Sequence, residues 1–224
     1  MNQFSNNTNI LTHIKKKKLC VFDFDGVLVD SVEIKTNAFY ASYKHYGKDI
    51  AKKVAEHHIE NGGMSRYKKF KKYHFDFLGV EISETELHEM DLAFSDYVLD
   101  SVVKANEIPG AEDFLKRISE KQICVVCSAT PETEIKNIIS LRRWDEYFYS
   151  IYGSPNSKSD NLSKALQHFN FLSSETIFFG DAMADFNAAL KLNVDFIGVG
   201  DAWDSVKSSP IFVGWIKDFT ELSW

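Results

Sequence analysis

The chain has 224 residues, 44% of them hydrophobic and 26% charged, so it can bury a sizeable core and wholesale disorder is excluded as the default. Its formal net charge of -6 excludes a general nucleic-acid binder, which needs a basic face to displace counterions from phosphates. The same balance favours solubility and leaves the fold open.

Residues 1–12 are polar and Asn-rich, have no apolar run of signal-peptide length, and read as a tail. No later apolar stretch reaches the ~20 residues that a membrane-spanning helix requires, so a cytoplasmic protein with no membrane partner is expected. The basic run 15–18 reads as a solvated entrance to a strand. Residues 19–24 are almost continuously apolar, the pattern of a strand covered on both faces, and close on Asp23-Phe24-Asp25-Gly26. Acids and a glycine at the tip of a parallel strand sit where α/β proteins place their chemistry.

A helix is predicted from Asp30-Ser31 onward, with Glu33 suited to its positive end. From about 33 to 107 no strand pattern occurs; charged amphipathic stretches are interrupted by Asn61-Gly62-Gly63 and by Gly79, and Ser83 with Glu86 has capping-box spacing. Ile108-Pro109-Gly110 is a turn that returns the chain. There follow a helix from Ala111, a strand at 123–127, a helix introduced by Thr130-Pro131, and a strand within 146–152. A helix at 161–169, a strand at 176–179, a helix at 184–192 and strands at 195–199 and 210–215 complete the series. This alternation predicts an α/β fold with a doubly wound, mostly parallel sheet and an all-helical insertion after the first strand. Cys20, Cys124 and Cys127 are odd in number, lie in apolar runs, and read as buried reduced thiols.

Polar groups gather at three strand ends: Asp23 with Asp25, then Ser128, then Asp181 with Asp185, while Lys158 lies in a Gly/Ser/Asn-rich loop between the last two. In a parallel sheet these ends open onto one edge. Carboxylates, a hydroxyl and an ammonium suit a divalent cation plus a phosphate better than an apolar ligand. Mg²⁺ prefers oxygen ligands and takes one or two carboxylates together with phosphate oxygens; Asp23 and Asp181 can supply them. Lys158 offsets phosphoryl charge, and the Ser128 hydroxyl and backbone N–H groups near Gly26 are candidate donors to the transferring oxygens. Taken singly, each group has an ordinary role as turn acid, cap or surface lysine, and only their order along the chain points to chemistry.

The stretch Asp23-Phe24-Asp25-Gly26-Val27-Leu28-Val29-Asp30-Ser31 resembles the first signature of the haloacid dehalogenase-like hydrolases. Ser128, Lys158 and Gly180-Asp181-Ala182-Met183-Ala184-Asp185 resemble the second, third and fourth. The resemblance spans about 19–199 and looks closest to phosphoglycolate phosphatases and β-phosphoglucomutases. It implies a Rossmann-like core of residues 1–32 and 106–224, a helical cap of residues 33–105, and a Mg²⁺-dependent phosphatase. It implies Asp23 as the nucleophile that becomes an aspartyl phosphate, and Asp25 as acid, base and, through its backbone carbonyl, metal ligand. Ser128 and Lys158 would hold the phosphoryl group, Gly26 and Ala129 would contact substrate, and Asp181 and Asp185 would bind the metal. Two departures stand out: Lys158 precedes Ser159 where proline is frequent, which leaves Lys164 as a fallback, and Ala182 replaces a common serine. Asp25 separates the chain from true dehalogenases, which lack an acid there.

Within the helical block, Gly62-Gly63-Met64-Ser65-Arg66 resembles the cap loop of β-phosphoglucomutases, and Arg66 can hold an oxyanion bidentately. Lys68, Lys69, Lys71 and Lys72 read as a solvated helix face, and His57-His58 as structural. A cap closing over strand tips leaves room for a small ligand, so the expected partner is a sugar phosphate or phosphorylated organic acid, bound by a monomer or homodimer. A phosphosugar mutase and a non-catalytic binding protein of the same fold are the alternatives.

Overall fold

β-branched and aromatic residues concentrated in short runs build the centre of the molecule, seen in a computed structural model that describes residues 3–200 and 203–222. The strands are β1 (Leu19–Phe22), β2 (Ile123–Pro131), β3 (Ser150–Ser154), β4 (Thr176–Gly180), β5 (Asp195–Val199) and β6 (Phe212–Ile216). They form one sheet in the order β3-β2-β1-β4-β5-β6, and every neighbouring pair is parallel. Period-two alternation assigns the side chains to two faces. Cys20, Phe22, Val126 and Phe179 belong to one apolar layer, and Leu19, Val21, Val125 and Phe178 to the other. The first layer is covered by α1 (Gln3–Ile14), α6 (Ala111–Ser119) and α7 (Glu132–Leu141), the second by α8 (Lys158–Phe169) and α9 (Met183–Leu192). Both faces are covered, as a parallel sheet requires.

Between β1 and α6 the α-helices are α2 (Val32–Tyr43), α3 (Lys48–Glu60), α4 (Arg66–Tyr73) and α5 (Glu84–Lys104), and no strand of the sheet intervenes. Ser83 caps α5 as its spacing predicts, its side chain accepting the Glu86 N–H. The way in and the way out of this block run side by side, because Asp30 N donates to Asn106 O and Ile108 N to Leu28 O, each at 3.0 Å. The block buries its own apolar centre, with Phe39, Tyr43, Phe70, Tyr73 and Phe94 in mutual edge and tilted ring contacts.

Some expectations require correction. The polar segment 1–12 is not simply a tail: from Gln3 it is helical, because Ile10, Leu11 and Ile14 recur on one face and bury; residues 1 and 2 lie outside the described residues. The basic run 15–18 is not uniformly solvated, since Lys17 is buried and its Nζ donates to Ser174 O and Asp195. Lys158 opens α8 instead of standing in a loop, behind Ser157, whose hydroxyl accepts the Asp160 N–H. Pro131 ends β2 and precedes α7, one position later than a Thr130 cap predicts. No helix among the described residues is long and apolar enough to cross a membrane.

Candidate active site

Phe22, the last residue of β1, pairs with Val126 on one side and Phe179 on the other; β4 ends one residue further on, and β2 runs past both to Pro131. β1 sits where the chain order reverses across the sheet, the position at which α/β folds open a crevice beyond their strand tips. Asp23 follows β1 directly and is tethered there by its N–H, which donates to Phe179 O at 2.9 Å. Its carboxylate is buried: Oδ1 accepts the Phe24 N–H at 2.7 Å and Oδ2 accepts Lys158 Nζ at 2.5 Å. Lys158 also donates to Asp185 Oδ1, and the other oxygen of Asp185 accepts the Ala182 N–H at 3.1 Å. Asp181, half-buried, stands beside them, and single carboxylate oxygens of Asp23, Asp181 and Asp185 lie within 4.8 Å of one another.

Asp25 is held by a second set of groups. Its Oδ1 accepts Ser31 Oγ at 2.6 Å, and its Oδ2 accepts Lys35 Nζ and, at 3.0 Å, the Thr130 hydroxyl. Ser31 occupies the N-cap position of α2 without capping it, because its hydroxyl is turned to Asp25. Ser128 is buried, and its Oγ accepts the Thr130 N–H at 3.1 Å, which leaves its proton free to donate elsewhere. Ala129 and Thr130 line the cavity above the strand tips, a space of about 520 Å³ that also meets Asp23, Asp25, Lys35 and Asp181.

Electrostatics divide the acids. Burial raises the Asp23 carboxyl to about 7, against the pull of Lys158 and with the help of Asp185 and Asp25. Burial, then the charges of Asp23 and Asp185, holds Asp181 well above the usual carboxylate range. Burial acts on Asp25 in the same sense, but the Lys35 ammonium and the hydrogen bonds from Lys35, Ser31 and Thr130 outweigh it and bring Asp25 below its ordinary value. Lys158, flanked by Asp185 and Asp23, is held protonated despite its burial.

The sequence reading is thus drawn together at Asp23, Asp25, Lys158, Asp181 and Asp185, with Ser128 and Ala129 at the adjoining tip of β2. Gly26 differs from expectation. Its N–H is spent on Val29 O at 2.8 Å, so it is no oxyanion donor; its contribution is room. Arg66 lines the cavity, but its side chain is 5% exposed and its charge is already met: Nη2 lies 2.7 Å from both Glu134 Oε2 and Asp91 Oδ1 and 2.9 Å from Ser95 Oγ. Lys164, the fallback, is exposed within α8, whereas Lys158 is buried against Asp23. Sequence reasoning missed Lys35 and Thr130. Ser31 and Lys35 are four residues apart at the start of a helix, and that spacing was the signal.

Gly62 and Gly63 bring the loop before α4 down onto this edge. Gly63 has φ of 75°, and a Cβ there would lie 2.8 Å from Ala184 Cβ and 3.1 Å from Lys158 Nζ. Backbone alone can come so close.

The sequence matches the haloacid dehalogenase-like hydrolase family over residues 20–199. No curated protein sequence matches the chain. Among solved structures, a β-phosphoglucomutase from Clostridium difficile superposes with a TM-score of 0.74 at 20% identity, over 93% of this chain and 94% of its own. A protein from Haemophilus somnus described as a predicted phosphoglycolate phosphatase gives 0.69 at 18%, over 92% and 96%. A haloacid dehalogenase-like family protein from Streptococcus pneumoniae gives 0.60 at 19%, over 82% and 85%. At these identities the likeness is one of fold.

Proposed function

Because this chain belongs to the haloacid dehalogenase-like hydrolases, we infer that it is a phosphatase that releases inorganic phosphate from a small phosphate monoester, with Asp23 as nucleophile. The observation that carries this reading is the setting of Asp23: one oxygen fixed by Phe24 N–H, the other on Lys158, in a cavity shared with Asp25 and Asp181.

An oxygen of Asp23 attacks phosphorus, and the ester oxygen leaves as an alcohol with a proton from Asp25. Water then attacks the aspartyl phosphate, gives its proton to Asp25, and frees phosphate and the Asp23 carboxylate. In the arrangement described, Lys35 keeps Asp25 ionised, which is the state needed for the second step. For the first, Asp25 must take a proton, and the charge of an arriving phosphate opposes Lys35 in that direction. Lys158 neutralises nucleophile and phosphate together, and Ser128, with a proton to donate, holds a phosphoryl oxygen beside Ala129.

The donor set fits Mg²⁺: hard oxygen atoms only, clustered within 4.8 Å, with Asp181 seated in space that a side chain on Gly26 would fill. Asp23, Asp181 and the backbone carbonyl of Asp25 would hold the ion, which when bound offsets charge on the phosphoryl oxygens. Both Asp185 oxygens are engaged by the protein; this residue positions Lys158 and would help to hold the ion from beside Asp181. In this reading residues 33–105 serve as a cap over a core of 1–32 and 106–224, and the cavity admits a sugar phosphate or phosphorylated organic acid. Three buried free thiols suit the cytoplasm.

The test is phosphate release from para-nitrophenyl phosphate and acetyl phosphate with and without Mg²⁺. Metal-dependent release that is lost in Asp23→Asn supports the reading; release independent of both metal and Asp23 contradicts it.

A further inference from the structure

Among the lysines and arginine in and beside the cavity, Lys69 has no acid of its own. Lys35 rests on Asp25, Lys158 on Asp23 and Asp185, and Arg66 on Glu134 and Asp91. Lys69, on α4, is 2% exposed and lines the same cavity; its Nζ lies 2.7 Å from His58 Nδ1 on α3 and 5.4 Å from the centre of the Phe39 ring. Among the described residues it takes part in no ion pair.

Burying an ammonium without a counter-charge is costly, and proteins keep such a group where something else supplies the charge. His58 is not that partner. It faces Lys69 from α3 with Lys35, Asp25 and His57 nearby, and burial followed by the charge of Lys69 lowers its pKa to about 3. Its neutral ring therefore accepts one Lys69 N–H through Nδ1, fixes the direction of the ammonium, and carries its own proton on Nε2. The remaining Lys69 donors are available to a ligand in the cavity. Burial, with Lys35 and Lys158 adding like charge, brings the Lys69 pKa to about 7, so an anion beside it would restore its charge.

We propose that Lys69, aimed by His58, is the subsite for a carboxylate carried by the part of the phosphate ester that is not transferred. The inference rests on the phosphatase reading and narrows it to phosphorylated organic acids. One ammonium matches one carboxylate; a second phosphate would need more positive charge, and Arg66, the fork suited to it, is already balanced by two acids. Asp23, Asp25, Gly63 and Lys69 line one cavity, so a single small ester can present its phosphoryl group to Asp23 and its carboxylate to Lys69.

The experiment compares 2-phosphoglycolate with ethyl phosphate, which is similar in length and lacks the carboxylate, in the wild type, Lys69→Met and Lys69→Arg. The wild type is expected to prefer the carboxylate ester in kcat/KM by at least about tenfold. Lys69→Met should erase that preference through KM while its rate on ethyl phosphate stays within about twofold, and Lys69→Arg should keep most of it. Equal use of both esters by the wild type, or an equal loss on both in Lys69→Met, would overturn the proposal. Should the wild type hydrolyse no phosphate ester, the phosphatase reading fails and the subsite is decided by titrating phosphonoacetate into the protein. Binding weakened about tenfold in Lys69→Met sustains the subsite; unchanged binding removes it.

Discussion

Gly26 and Asp181 occupy what would be a single volume in most proteins: a Cβ on Gly26 would lie 2.2 Å from Asp181 Oδ2. Gly26 also has φ of 76°, a conformation that side chains oppose. Gly26→Ala therefore strains the turn after β1 and drives Asp181 from the other carboxylates. Magnesium-stimulated phosphate release should fall by about 10²-fold, the scale of a 1 Å misplacement, with thermal unfolding still cooperative. Retained metal-stimulated activity would separate this turn from the function of Asp181.

Lys158 neutralises two buried carboxylates, Asp23 and Asp185. Lys158→Met leaves them facing each other without a cation, and breaking a buried pair in this way costs about 3–5 kcal/mol. Chemical denaturation in magnesium-free buffer should show that loss, and adding Asp23→Asn to the variant should recover part of it. Unchanged stability in Lys158→Met would mean that solvent already screens the pair.

Arg66 ties the helical block to α7, through Glu134, and within the block joins α4 to α5, through Asp91. A double-mutant cycle of Arg66→Met with Glu134→Gln should give a coupling of about 1–3 kcal/mol in unfolding. Coupling near zero would show that this contact does not fasten the block in solution.

Strand and helix order followed from the sequence because each strand is a short apolar run closed by a turn; β4 and β5 fall within a residue of expectation, and β1 ends two residues earlier, at Phe22. The acids were readable for the same reason: an apolar strand that ends in Asp23-Phe24-Asp25-Gly26 has no packing motive for its last residues. What escaped were side chains whose surroundings depend on tertiary packing. In α4 the spacing cannot say that Lys69 turns inward while Lys71 stays at the surface with Glu84. Arg66 was chemically legible as an anion binder, but the sequence does not disclose that Glu134, 68 residues away, is the anion it meets. In α1, four apolar residues among eight polar ones gave too thin a stripe to predict a helix that packs on β6.

His58 gives the fold a pH dependence of known sign. Burial and the nearby Lys69, Lys35 and His57 outweigh Asp25, so the folded protein resists protonation down to about pH 3 while the unfolded chain takes up the proton near 6.5. The contribution is complete above pH 6.5 and is lost as the pH falls toward 3. Between pH 6.5 and 5 it amounts to at most about 2 kcal/mol. His58→Leu should flatten the fall in melting temperature over that range; parallel curves for variant and wild type would place the titration elsewhere.

The covalent role of Asp23 is open to direct observation. Protein mixed with acetyl phosphate and Mg²⁺, quenched in acid and digested, should carry one phosphoryl group on the peptide that contains Asp23, and Asp23→Asn should carry none while turning over at least about 10³-fold more slowly. Rapid phosphate release with no label on Asp23, and undiminished in Asp23→Asn, would contradict the account.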